Sequence, residues 1–129
     1  MTRKRTAASY PEFHEQALFA KRLLLDPRTK HLPWTSTLTG ANLTVIQAAL
    51  AKRKGVRRGV PDWMLYQRRG LFAGLAIELK RPDGEGRFSL DQVWWQNALF
   101  LNLWRVVTVL NATEAWSAVM AYLGYEEET

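Results

Sequence analysis

The feature that most constrains this chain is a strand, a helix and a strand in close succession. Leu71–Lys80 reads as extended chain, Ser89 opens a helix running to about Asn102, and Arg105–Leu110 is the best strand in the sequence by β-branched content. That succession allows a parallel, right-handed crossover, and a parallel pair of strands needs cover on its faces. The natural packing is a layered α/β domain.

The remaining segments supply the other layers. A first helix is expected from about Tyr10 to Leu25, with Ser9 as candidate N-cap, Pro11 in the first turn and Pro27 closing it. Phe13, Ala17, Ala20 and Leu24 form one apolar stripe on it, and Glu12, Gln16, Phe19 and Leu23 form a neighbouring, mixed one. His31–Ala41 reads as irregular loop. A second helix spans Thr44–Lys54, with Gly55 as the left-handed residue that ends it. Asp62–Tyr66 and Leu71–Lys80, joined through Gln67–Gly70, read as an antiparallel hairpin. Asn111 caps a last helix, Ala112–Leu123, with Glu114 three residues on. The expected order is α-α-β-β-α-β-α in one mixed-sheet domain over residues 1–129, with a basic tail at 1–8 and an acidic tail at 124–129.

Charge narrows the partners. With 18 Lys+Arg against 12 Asp+Glu the chain carries +6, which favours polyanions, nucleic acid above all. No apolar run approaches the roughly 18 residues of a membrane span, so no membrane association is expected. With no cysteine there is no disulfide framework and no thiolate zinc site; a cytoplasmic setting fits. His14 and His31 have no ligand partner at metal-binding spacing and read as surface residues.

The chemistry concentrates on one strand face. In Leu75-Ala76-Ile77-Glu78-Leu79-Lys80, alternation sends Leu75, Ile77 and Leu79 to one side and Ala76, Glu78 and Lys80 to the other. Glu78 and Lys80 then stand about 6.6 Å apart along the strand. Asp62, on the preceding hairpin strand, would lie beside Glu78. Two converging carboxylates repel unless a cation sits between them, and oxygen ligands suit Mg²⁺ or Mn²⁺. A lysine beside them would orient water or neutralise charge in a phosphodiester transition state. The alternative is a solvated strand edge with a Glu–Lys pair, and Asp62 as a turn residue after proline.

Gly59-Val60-Pro61-Asp62, Gly74-Leu75-Ala76-Ile77-Glu78-Leu79-Lys80-Arg81-Pro82 and Ser89-Leu90-Asp91-Gln92, taken in that order and spacing, resemble the VRR-NUC family of the PD-(D/E)XK nuclease superfamily. The resemblance runs from about Glu12 to Leu123. It implies a restriction-endonuclease-like core and Mg²⁺-dependent DNA cleavage, and free-standing phage and bacterial members are linked with branched DNA such as Holliday junctions. By position, Asp62 and Glu78 would hold the metal, the Leu79 carbonyl would complete its shell, and Lys80 would be the catalytic lysine. The family's first-helix acid corresponds to Glu12, followed by Gln16; Glu15 is a nearby rival, and Glu12 is also placed to close a capping box with Ser9. Gln92 corresponds to a glutamine near the family's active site, while Ser89-x-x-Gln92 is equally a capping box.

Lys52, Arg53, Lys54, Arg57 and Arg58 lie just upstream of Asp62 and would track a DNA backbone, as would Arg81 and Arg87 beyond the active strand. Lys52–Lys54 also suit the C-terminus of a helix for purely structural reasons. Trp94 and Trp95 are consecutive on a helix, about 100° apart. Either that helix is buried between layers, or it forms a subunit interface. The expectation is therefore a Mg²⁺- or Mn²⁺-dependent, structure-selective DNA endonuclease, acting as a homodimer. Its rivals are a non-catalytic nucleic-acid-binding module on the same fold and a nuclease for linear or flap DNA.

Overall fold

The computed structural model describes residues 11–37, 44–80 and 88–125, with side chains from residue 14 onward. The elements run α1 (Pro11–Leu25), β1 (Trp34–Ser36), α2 (Val45–Arg53), β2 (Trp63–Leu65), β3 (Gly74–Leu79), α3 (Leu90–Leu101), β4 (Trp104–Val109) and α4 (Ala112–Leu123). They build one four-stranded sheet in the order β1-β2-β3-β4. β1 and β2 pair antiparallel, β2 and β3 pair antiparallel, and β3 and β4 pair parallel across α3. The expected parallel pairing across a helix is present.

Alternation along the strands sorts the core into two layers. Leu75, Ile77 and Leu79 of β3, Trp63 and Leu65 of β2 and Val109 of β4 pack with Phe19 and Leu23 of α1 and Ala115, Trp116, Val119 and Met120 of α4. Met64 and Ala76 face the opposite way, against Leu99, with Trp95, Trp104 and Val106 beside them. α1 and α4 thus cover one sheet face and α3 the other. Every residue of β3 is buried. Glu78 therefore points into the α3 layer from an interior strand, only 4% exposed, and not from a solvated edge.

The caps follow the sequence closely. Thr44 and Ser89 each close a reciprocal capping box, with Gln47 and Gln92, and Asn111 accepts from the Glu114 N–H. In the hairpin, Arg69 and Phe72 exchange backbone hydrogen bonds around Gly70–Leu71. Gly70 has φ 58°, as the first central position of a tight, right-twisted turn demands.

Several expectations are corrected. The loop read over His31–Ala41 contains β1, so the order is α-β-α-β-β-α-β-α. Three residues carry too little local signal; pairing with β2 and the Trp34 indole N–H bond to the Thr29 carbonyl hold β1 in place. The hairpin strands are shorter than read, because the tight turn takes up Leu71 and Phe72. On α1 the buried stripe is the mixed one, Phe19 and Leu23, while Ala17 and Leu24 face solvent. Phe19 wins by packing its ring 5.1 Å from that of Trp63. Gly124 and Tyr125, read as tail, are the cap of α4: Gly124 has φ 83°, and the Tyr125 N–H returns to the Met120 carbonyl. α3 is not buried between layers, since Leu99 is its buried residue while Leu90, Val93, Trp94, Phe100 and Leu101 are exposed. His14 and His31 are exposed, as expected. Among the described residues, no helix is long and apolar enough to cross a membrane.

Candidate active site

The site forms where the ends of β2 and β3 meet the start of α3. Asp62 immediately precedes β2, and its backbone is clamped from two sides. Its carbonyl accepts from the Thr37 N–H (2.9 Å) and from the Gln16 side-chain amide (3.1 Å). The Thr37 hydroxyl bonds the neighbouring Pro61 carbonyl at 2.8 Å. With the backbone held, Oδ2 of Asp62 accepts from the Leu79 N–H at 2.7 Å. That bond brings the Asp62 carboxylate to β3 beside Glu78.

Glu78 is held from the other side by Gln92, whose Nε2 donates to Glu78 Oε1 at 2.9 Å. The same amide group uses its oxygen to accept from the Ser89 N–H, also at 2.9 Å. The two roles open for Gln92, helix cap and site residue, are therefore performed together by its two ends. Gly59 explains how α3 comes so close. It has φ 86°, and a Cβ there would stand 2.4 Å from the Asp91 carbonyl carbon and 2.6 Å from the Gln92 nitrogen. Only glycine lets the approach to Asp62 lie flat against the first turn of α3.

The electrostatics are unfavourable without a counter-charge. Burial first, and then the neighbouring Asp62, push the Glu78 carboxyl up to about 8, against smaller opposing effects from Lys80 and Gln92. Glu78 Oε2 is buried with no hydrogen-bond donor beside it. Asp62 also raises Glu78 by sharing a hydrogen bond with its protonated form, so the two carboxyls converge on one point; two such oxygen donors are what a divalent cation satisfies, and the set fits a hard, oxygen-preferring metal. Among the described residues, Asp62 and Glu78 are the acids that meet here, and no cluster of three metal-ligating side chains exists. Lys80 is half-buried next to them, with its Nζ 4.1 Å from the centroid of the Phe88 ring.

Asp62, Glu78, Lys80 and Gln92 thus come together, and the Leu79 backbone belongs to the same constellation. The side chain of Glu12 and all of Arg81 and Arg87 lie outside the described residues. Glu15, the rival of Glu12, turns elsewhere: its Oε2 accepts from the Ala112 N–H at the start of α4 (3.4 Å). Lys52, Arg53, Lys54, Arg57 and Arg58 are all exposed, at the end of α2 and in the loop leading to Gly59. Two contributions were not legible beforehand. The bond from Gln16 to the Asp62 backbone has no local signature, and neither does the stacking of Arg57 over Trp94 and Trp95 (4.8 and 5.1 Å to the ring centroids).

No family model and no curated protein matches the chain. A solved structure described as a "VRR_NUC domain protein" superposes on it with a TM-score of 0.73, covering 92% of this chain and 93% of that one at 21% identity. At that identity the likeness establishes the fold, a restriction-endonuclease-like α/β core with a mixed sheet and flanking helices.

Proposed function

We propose that this chain is a divalent-metal-dependent DNA endonuclease that hydrolyses phosphodiester bonds in branched DNA such as Holliday junctions. The observation that carries the reading is the buried Glu78 carboxylate, converging on one point with that of Asp62. Such an arrangement is destabilising in an empty structural role and useful for holding a cation. The fold supports it, since the protein it superposes on carries a nuclease-domain name.

Asp62 and Glu78 would hold Mg²⁺ or Mn²⁺, with the Leu79 carbonyl as a third donor. The ion, when bound, supplies Lewis acidity toward a phosphodiester oxygen and lowers the pKa of water. Gln92 keeps Glu78 oriented through its amide. Lys80, charged and on the same strand face, orients the attacking water or offsets negative charge that develops at phosphorus. Glu12 stands as the proposed first-helix acid. The cations at Lys52–Lys54, Arg57, Arg58, Arg81 and Arg87 would neutralise backbone phosphates, giving binding that weakens steeply with salt.

A four-way junction needs two symmetric nicks, which a C₂ homodimer supplies with two equivalent sites. In α2, Val45, Ile46 and Leu50 are exposed among the described residues, a surface that a second copy would bury. The test is a gel panel of linear, flap, fork and four-way DNA with Mg²⁺, Mn²⁺ or EDTA, alongside light scattering. Metal-dependent nicking of the junction by a species of twice 14.8 kDa is expected. No cleavage of any substrate, together with no metal uptake by calorimetry, would leave a binding module on the same fold.

A further inference from the structure

On the side of α3 turned away from the sheet, two apolar side chains are left largely open by the described structure. Leu90 is 89% exposed and Trp94 53% exposed, one turn apart on the same helix face. Trp94 meets Trp95 edge-on, with ring centroids 5.3 Å apart, and the Arg57 guanidinium stacks over both. Trp95 is partly buried against the sheet layer, so it anchors the group while Trp94 projects. The ridge shares α3 and the preceding loop with the site but lies on another face of the helix. Gln92, two residues before Trp94, bonds Glu78, and Gly59, two residues after Arg57, lies against the Asp91–Gln92 backbone.

Resting on the proposed function, we infer that Trp94, with Arg57 over it and Leu90 beside it, is a stacking platform for an unpaired nucleobase of DNA held at the basic stretch that ends in Arg57 and Arg58. Phosphate tracking needs only cations, and five stand within seven positions, at Lys52, Arg53, Lys54, Arg57 and Arg58. An indole held half-open by an arginine adds what cations lack, a flat apolar surface for a π-face. In continuous duplex the base faces are covered by their neighbours. A platform here reads a base that a flap, bulge or branch point has released. The charge also argues against a second copy as the occupant of this ridge, because two ridges face to face would bring their Arg57 guanidiniums together.

The test measures binding in EDTA at one fixed salt concentration. A fully paired duplex is compared with the same duplex bearing a short single-stranded flap, using wild type, Trp94→Ala and Trp94→Phe. A 2-aminopurine at the first unpaired position reports stacking through its quenching. Wild type should bind the flapped DNA more tightly and quench the probe. Trp94→Ala should lose on the order of tenfold for flapped DNA, with little change for duplex, and lose the quenching. Trp94→Phe should recover most of both, and near-UV circular dichroism checks that the variants are folded. Equal affinity of wild type and Trp94→Ala for flapped DNA, or equal losses on both DNAs, would overturn the platform. So would a dimer that dissociates on Trp94→Ala with the flap-to-duplex ratio unchanged. Failure of wild type to bind any DNA would instead sink the nuclease reading, and the platform with it.

Discussion

Replacing Glu78 by glutamine should stabilise the metal-free protein at pH 8 while removing its cleavage activity. Glu78 titrates near 8 in the folded chain, chiefly from burial and secondarily from Asp62, against an ordinary value of 4.5. Between those values the folded state keeps a proton that the unfolded chain has released, so stability falls as pH rises through that window and levels off above it. At about 1.4 kcal/mol per unit, the full span caps the loss at roughly 5 kcal/mol; local relaxation and water entry reduce it to about 2–3 kcal/mol. Glutamine has the same shape and no charge. Its oxygen can still accept from Gln92, and its amide can donate to Asp62. For a chain of this size 2–3 kcal/mol corresponds to about 8–12 °C in melting temperature. Thermal melts at pH 5 and pH 8 in EDTA should show nearly equal stabilities at pH 5 and a more stable Glu78→Gln at pH 8. Mn²⁺ at pH 8 should raise the wild-type melting temperature and leave the variant's almost unchanged. A folded variant that melts at or below wild type at pH 8 without metal would refute the argument, because Glu78 would then be satisfied by the protein alone.

Asp62→Asn should abolish cleavage with DNA affinity largely retained, measured by gel shift, since the Leu79 N–H keeps an oxygen acceptor while the charge is lost. Lys80→Met should leave Mg²⁺ or Mn²⁺ affinity unchanged or slightly tighter by calorimetry and lower the cleavage rate by orders of magnitude. A folded Lys80→Met protein that has lost its metal would make Lys80 a structural partner of the acids. Gly59→Ala should cost about 2–4 kcal/mol in denaturant unfolding, combining a positive φ with a clash against the α3 backbone. It should also slow cleavage by displacing Gln92 from Glu78; an unchanged melting temperature would show that the contact is slack.

The local signals in the sequence carried the helices, the caps of α3 and α4 and the two central strands, because capping and alternation act over three or four residues, while Ser9, read as the cap of α1, lies outside the described residues. Ser89-x-x-Gln92, Asn111 with Glu114, and the alternation through Leu75–Lys80 are of this kind, and each stands where the pattern put it. Asp62 beside Glu78 was readable from the hairpin and the strand alternation, whereas local signals gave Gln92 only as a helix cap and its place near the site came from the resemblance to the VRR-NUC family. Other features depend on partners distant in the chain. β1 exists because Trp63–Leu65 pairs with it, the buried stripe of α1 is chosen by Trp63, and the Asp62 backbone is fixed by Gln16, 46 residues away. The exposure of Trp94 was likewise decided by packing, since helix periodicity gives its angle to Trp95 but not which of the two meets the sheet. The burial of Glu78 follows the same rule: a strand's alternation shows which residues share a face, and only the position of that strand between two others removes the face from water.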